Sequence, residues 1–153
     1  MPIRRVGHVV LKVRDLEKAK SFYVDFLGMQ IGAERADRGM FLRFGDYHHD
    51  IAIFKTGDDA DLPKDNQVGL VHVALVTDGV ETVKAFYERA KAMGVTISGT
   101  NDHAITKSLY LKDPEGNTIE IYAEAPEYNW REEGMGFIAR PFDLEQVPAG
   151  AIA

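Results

Sequence analysis

Apolar and polar positions alternate along this chain with two periods, and the succession of periods occurs twice. Residues 6–13 place Val6, Val9, Leu11 and Val13 in a β-branched, apolar run that predicts a strand. From Asp15 the period becomes helical. Leu16, Ala19, Phe22, Tyr23, Phe26 and Leu27 fall on one face, with Asp15 suited to the N-cap and Gly28 to the position just past the C-terminus. Short strands are expected at 29–35, 40–44 and 49–55. Residues 57–67, with four aspartates, one proline and little apolar content, read as a linker. The order then returns. A strand is expected over 70–77, followed by a helix opened at Asp78 or Gly79. That helix turns Val80, Val83, Phe86, Tyr87, Ala90 and Met93 inward and is closed by Gly94. Strands at 95–98, 107–112 and 117–123 complete the second half.

The two halves keep a constant offset: 72 − 8, 86 − 22 and 87 − 23 all give 64. Each half is β-α-β-β-β, which predicts an α+β fold. Its two tandem βαβββ modules form a curved mixed sheet around a cavity. The expected domain spans 1–123, with repeats at about 5–56 and 68–123. Residues 124–153, with Pro126, Pro141 and Pro148 among scattered aromatics, read as an irregular tail packed on the domain or on a partner subunit. Tyr128, Trp130, Phe137 and Phe142 offer it apolar anchors.

A net charge of −6 argues against nucleic-acid and anionic-membrane partners, which need basic clusters. No apolar run approaches the roughly 20 residues that span a bilayer, and Pro2 to Val13 has no signal-peptide profile. The absence of cysteine removes disulfides and thiolate ligands, and it fits a cytoplasmic location. Any metal site must therefore use nitrogen and oxygen donors.

Such donors recur with the repeat. His8 and His72 occupy equivalent places in Gly7-His8-Val9-Val10-Leu11 and Val71-His72-Val73-Ala74-Leu75, and Glu120 lies in the last strand of the second half. Alternation turns all three away from their apolar neighbours, toward the face not covered by helices. Two imidazoles and one carboxylate make a facial triad that leaves further positions of a divalent ion open. A lone strand histidine is most often structural; a symmetric pair in a duplicated module points to metal. Aligning the last strands sets Ala52 opposite Glu120, so a fourth protein ligand is not expected.

A three-residue Pro114-Glu115-Gly116 loop with Gly116 left-handed would pair Asp113 with Asn117. Counting back puts Tyr110 across from Glu120, where it either reaches the metal cavity or merely packs on its neighbour. Alternation aims His49 away from that cavity unless a bulge or loop redirects it. By periodicity alone, His49 and His103 read as solvated loop residues.

The duplicated units, the helix ending Phe22-Tyr23-Val24-Asp25-Phe26-Leu27-Gly28 and the segment Asp113-Pro114-Glu115-Gly116-Asn117-Thr118-Ile119-Glu120-Ile121 resemble the vicinal oxygen chelate superfamily. That group includes glyoxalase I, bleomycin-resistance proteins, fosfomycin-resistance enzymes and type I extradiol dioxygenases. The likeness covers roughly 5–123. His49-Asp50-Ile51-Ala52 is similar to the His-Asp-aliphatic-Ala run of the extradiol dioxygenases. Their active-site tyrosine also stands ten residues before the carboxylate ligand, as Tyr110 stands before Glu120. The chain resembles the compact one-module branch of those enzymes.

The resemblance implies extradiol cleavage of a catechol-type diol by Fe(II) and O2, Mn(II) being the other ion the ligands suit. His8, His72 and Glu120 would hold the metal. Tyr110 and His49 would serve as hydrogen-bond donor and acid/base, and His103 would line the substrate pocket. Two other readings stand beside it. One is an Mn(II)-dependent fosfomycin-type thiol transferase, which needs neither His49 nor His103. The other is a metal-free drug-binding protein, which leaves the triad without a purpose. Glyoxalase I and related epimerases place a fourth ligand on the first half, where this chain has Ala52. A homodimer or higher homo-oligomer is expected.

Overall fold

The computed structural model describes residues 2–64, 66–135 and 138–152. The chain divides into two compact units. The first extends to Gln67 and takes in Pro114–Gly116; the second comprises Val68–Asp113 and the residues from Asn117 on.

The first unit contains β1 (Val9–Val13), α1 (Leu16–Lys20, continued as a π-helix over Ser21–Phe26), β2 (Gln30–Arg35), β3 (Gly39–Arg43) and β4 (Ile51–Lys55). Its sheet has the order β1-β4-β3-β2, with β1 parallel to β4 and the other pairs antiparallel. Asp15 caps α1 as expected, its carboxylate accepting from the Glu17 and Lys18 amides at 3.0 and 3.1 Å. Such a cap stabilises a helix by about 1 kcal/mol. The whole expected stripe from Leu16 to Leu27 is buried. The π-helical turn was not foreseen: Leu27 donates to the carbonyl of Phe22, five residues back. That wider turn lets the adjacent Phe22 and Tyr23 and the adjacent Phe26 and Leu27 all reach the core. Gly28 then takes the left-handed conformation at φ 81°.

The second unit repeats the plan with β5 (Val73–Thr77), α2 (Val80–Met93), β6 (Ile97–Asp102), β7 (Thr106–Lys112) and β8 (Thr118–Glu124). The strand order is β5-β8-β7-β6, extended by β9 (Arg140–Pro141) of the tail. Registers also repeat. Val10 pairs with Ala52 in the first unit, and Ala74, 64 residues on, pairs with Glu120 in the second. The proposed correspondence of Ala52 with Glu120 is therefore a structural one.

Three expectations need correction. The strands expected from residues 6 and 70 begin at Val9 and Val73, because parallel pairing starts only at Val9↔Ile51 and Val73↔Ile119. His8 and His72 thus stand one residue ahead of their strands rather than within them. Met93 is exposed, whereas Lys84 is buried among the core residues of α2. Lys84 reaches Glu88 at 2.6 Å and Glu145 at 2.9 Å, which compensates its ammonium for burial.

The tail is less irregular than expected, and it lies along its own module. A short helix α3 (Trp130–Glu133) precedes β9, which pairs with β6, and a 3-10 turn, Leu144–Gln146, follows. Glu145 of that turn accepts from Lys84, Lys91 and Tyr87 of α2. Of the expected anchors, Tyr128, Trp130 and Phe142 are described; Phe137 lies outside the described residues.

Candidate functional site

The β7–β8 hairpin builds the centre of the site. Asp113 donates through its amide to the carbonyl of Asn117 at 2.9 Å, and Gly116 adopts φ 86°, as the three-residue loop requires. The resulting register sets Tyr110 directly opposite Glu120. The Tyr110 hydroxyl donates to Glu120 Oε1 at 2.8 Å, and His72 Nε2 lies 3.0 Å from Glu120 Oε2. Ile119 and Ile121 turn into the core beneath α2, so alternation places Glu120 and Tyr122 on the other face.

His103 joins this group from the end of β6. Asp102 accepts from the amide of Ala104, which sits at φ 66°, and this tight turn brings the His103 ring inward. Its Nε2 lies 2.8 Å from the Tyr110 hydroxyl and its Nδ1 contacts the Ile138 carbonyl. The solvated-loop reading of His103 is therefore overturned: it is half-buried and bonded at both nitrogens. A carbonyl only accepts, so Nδ1 carries a proton. Tyr110 has one proton for two neighbours. It goes to Glu120 Oε1, and His103 Nε2 sits against the same hydroxyl oxygen. Burial, with the Glu120 carboxylate adding to it, pushes the Tyr110 hydroxyl up to about 12, so it stays protonated at neutral pH.

His49 belongs to the first unit, in the bend ahead of β4 where strand alternation does not operate. Its ring lies 4.4 Å from that of His8 and 5.0 Å from that of Phe41, whose register partner is Ala52. The bend thus redirects His49 onto the His8 side, against simple periodicity. Burial holds its imidazole below the ordinary value, and neighbouring His8 and His48 add to that against an opposing pull from Asp50.

Among the described residues, no three His, Asp or Glu side chains gather as a cluster able to hold an ion. The second unit does supply a matched pair of donors. The His72 nitrogen and the Glu120 oxygen face one another across a distance that a shared proton bridges, and divalent ions replace such protons. With the carboxylate buried and Tyr110 fixing its second oxygen, this pair fits a metal ligand set with an outer-shell partner.

Two βαβββ modules of one strand order, with a histidine and a carboxylate paired on the face away from the helix, define the vicinal oxygen chelate class. The Glyoxalase/Bleomycin resistance protein/Dioxygenase superfamily model matches residues 5–121, and the chain belongs to that superfamily. It is 30% identical over 131 residues to a catechol-2,3-dioxygenase of Bacillus subtilis, covering 86% of this chain but 45% of that protein. The chain thus spans less than half the length of that relative. It is 26% identical to biphenyl-2,3-diol 1,2-dioxygenase 2 of Rhodococcus globerulus, with 87% and 76% of the two chains covered. It is also 30% identical to a probable lactoylglutathione lyase of Vibrio cholerae, covering 79% of this chain and 91% of the lyase. A fosfomycin resistance protein, FosX, of Listeria monocytogenes, solved with Mn(II), shares the fold at a TM-score of 0.67 and 21% identity, over 86% of this chain and 98% of that one.

Proposed function

We propose that the protein is an extradiol dioxygenase that opens a catechol ring with O2 at a centre holding Fe(II). The observation that carries this reading is the bonded series His103–Tyr110–Glu120–His72. It places a protonated phenol beside the carboxylate that would bind the ion. His72 and Glu120 would supply two ligands, and His8, its repeat equivalent in the first module, the third. When bound, a divalent ion supplies Lewis acidity and open positions that hold both reactants side by side.

The chain's own residues then manage protons and position. Tyr110 would donate to a catechol oxygen and fix the ring's orientation. His49 would take a proton from the substrate hydroxyl and return it as the ring opens. His103 would hold the Tyr110 hydroxyl in place through Nε2. Both atoms of O2 enter the ring-opened product, so no external reductant is consumed.

A second reading is an Mn(II)-dependent fosfomycin-type thiol transferase, which would use the same two histidines and carboxylate. It leaves His49 and the His103–Tyr110 bond without a role. A glyoxalase-type lyase needs a fourth ligand where Ala52 stands, and Ala52 is buried.

The test is oxygen uptake by protein loaded anaerobically with Fe(II) and given a panel of catechols. Stoichiometric O2 consumption with a yellow product is expected. A folded, metal-loaded protein that stays inert across the panel, yet adds a thiol to fosfomycin with Mn(II), would replace the proposal with the second reading.

A further inference from the structure

A cavity of about 350 Å³ opens beside Glu120 in the second module. That size lies in the usual range for small-ligand sites, about 300–1,000 Å³. Glu120 and Tyr122 of β8 form one side, with Ile105 leading into β7 and Glu124 at the strand end. Trp130 and Met135 give the cavity a wall from the tail. The superfamily model's match stops at residue 121, short of Trp130 and Met135.

The wall is held by bonds at several points. Ala125 donates its amide to the Ile105 carbonyl at 2.9 Å, which starts the tail across the cavity mouth. Asn129 caps α3 by accepting from the Arg131 amide. The Tyr128 hydroxyl donates to the Gly134 carbonyl at 2.9 Å, and Gly134 turns the chain at φ 82°, setting Met135 near Trp130. The lining carries two carboxylates and, among the described residues, no lysine or arginine. The guanidinium of Arg131 lies 4.4 Å over the Trp130 ring and does not line the cavity.

We propose that Trp130 and Met135 set substrate specificity by packing on the ring substituent, and that the substrate is a catechol bearing an uncharged, apolar substituent. The proposal rests on the dioxygenase reading above and deepens it. An indole face and a flexible thioether suit an alkyl or aryl group. A carboxylated catechol would set its charge beside Glu124 with no lysine or arginine in the described lining to meet it, so the cavity discriminates against that class.

Trp130 is the chain's single tryptophan, and its emission reports on this wall alone. The experiment uses protein loaded with Zn(II), which occupies nitrogen and oxygen ligands without redox turnover. Catechol, 4-ethylcatechol and 3,4-dihydroxybenzoate are each titrated by Trp130 emission and by calorimetry. The expected result is a change in emission with 4-ethylcatechol and about tenfold tighter binding of it than of catechol, the scale of discrimination an apolar pocket gives for added methylenes. 3,4-Dihydroxybenzoate binds weakest. Trp130→Ala and Met135→Ala should each bring the ethyl preference close to unity, and Glu124→Gln should recover binding of the carboxylated probe.

Calorimetric binding of catechols with unchanged Trp130 emission, or an ethyl preference that survives Trp130→Ala, would overturn the tail's role and leave the dioxygenase reading standing. Absence of binding by all three catechols to protein that retains Zn(II) would overturn both.

Discussion

Tyr110 bonds Glu120 and His103 through one hydroxyl, which makes it the most informative single residue of the site. Its hydroxyl touches Glu120 Oε1, while His72 meets the other carboxylate oxygen. Removing the phenol oxygen leaves all three proposed metal donors in place, whereas removing His72 deletes one. Tyr110→Phe should therefore keep metal stoichiometry and slow turnover about 10²-fold, the lower end for loss of a positioned proton donor. His72→Ala should lose metal on gel filtration. Elemental analysis of both variants separates the roles, and full metal retention by His72→Ala would refute the assigned ligand. Gly39 illustrates a different kind of residue, one fixed by backbone space. A Cβ built there would lie 2.0 Å from the Ile53 carbonyl oxygen, an atom locked in the β3–β4 pairing. Gly39→Ala should destabilise the protein by about 3 kcal/mol, in the upper range for single substitutions, and urea unfolding would measure it. Nothing in the linear pattern marks Gly39 apart from the chain's other glycines, because the clash comes from a strand residue fourteen positions away.

At the scale of elements, α2 and the tail form a unit that titrates. Glu145 accepts from Lys84, Lys91 and Tyr87, and the two ammonium groups with the phenol hold its carboxyl down to about 2. Glu145 and Glu88 in turn hold Lys91 up to about 12. A depressed carboxyl stabilises the docked tail fully above its ordinary value, and that contribution is lost as pH falls through about 2. A raised ammonium contributes below its ordinary value and is lost as pH rises through about 12. Tail docking should thus be flat across the neutral range and weaken at both extremes. Hydrogen exchange of the Leu144–Gln146 amides would show this; protection that already falls between pH 6 and 8 would contradict it. Lys91 and Glu145 lie at the surface, so salt should weaken their pair more than that of the buried Lys84. The sequence showed α2 through its period but not Lys84 as buried, because burial here depends on a 3-10 turn some sixty residues later. The same limit explains the rest. The repeat, both helix caps, the Pro114–Gly116 turn and the Tyr110–Glu120 register were legible because each is set by local turn chemistry or strand alternation. The π-helical turn of α1 and the tail wall were not, since packing against distant residues decides them; strand periodicity missed the inward His103 because an irregular turn at Asp102–Ala104 sets it.

For the whole molecule, the decisive quantity is the coupling between metal binding and stability. An ion that binds the folded chain and not the unfolded one stabilises it by about 2.7 kcal/mol at a free concentration a hundred times its dissociation constant. The proposed centre draws one ligand, His8, from the first module and two, His72 and Glu120, from the second. On that assignment metal raises the unfolding midpoint of the wild type, and His8→Ala should reduce the rise as much as His72→Ala does. A site confined to the second module would behave otherwise: His8→Ala would keep the full increment while His72→Ala lost it. Calorimetric unfolding with and without Mn(II), which spares the protein the oxidation that Fe(II) invites, distinguishes the two. His49→Ala supplies the internal control. Its ring packs on His8 and Phe41, so it tests whether a change beside His8 alters metal-linked stability without removing a donor. Equal increments in wild type and His49→Ala, with loss in His8→Ala, would assign the third ligand to the first module by its nitrogen rather than by its packing.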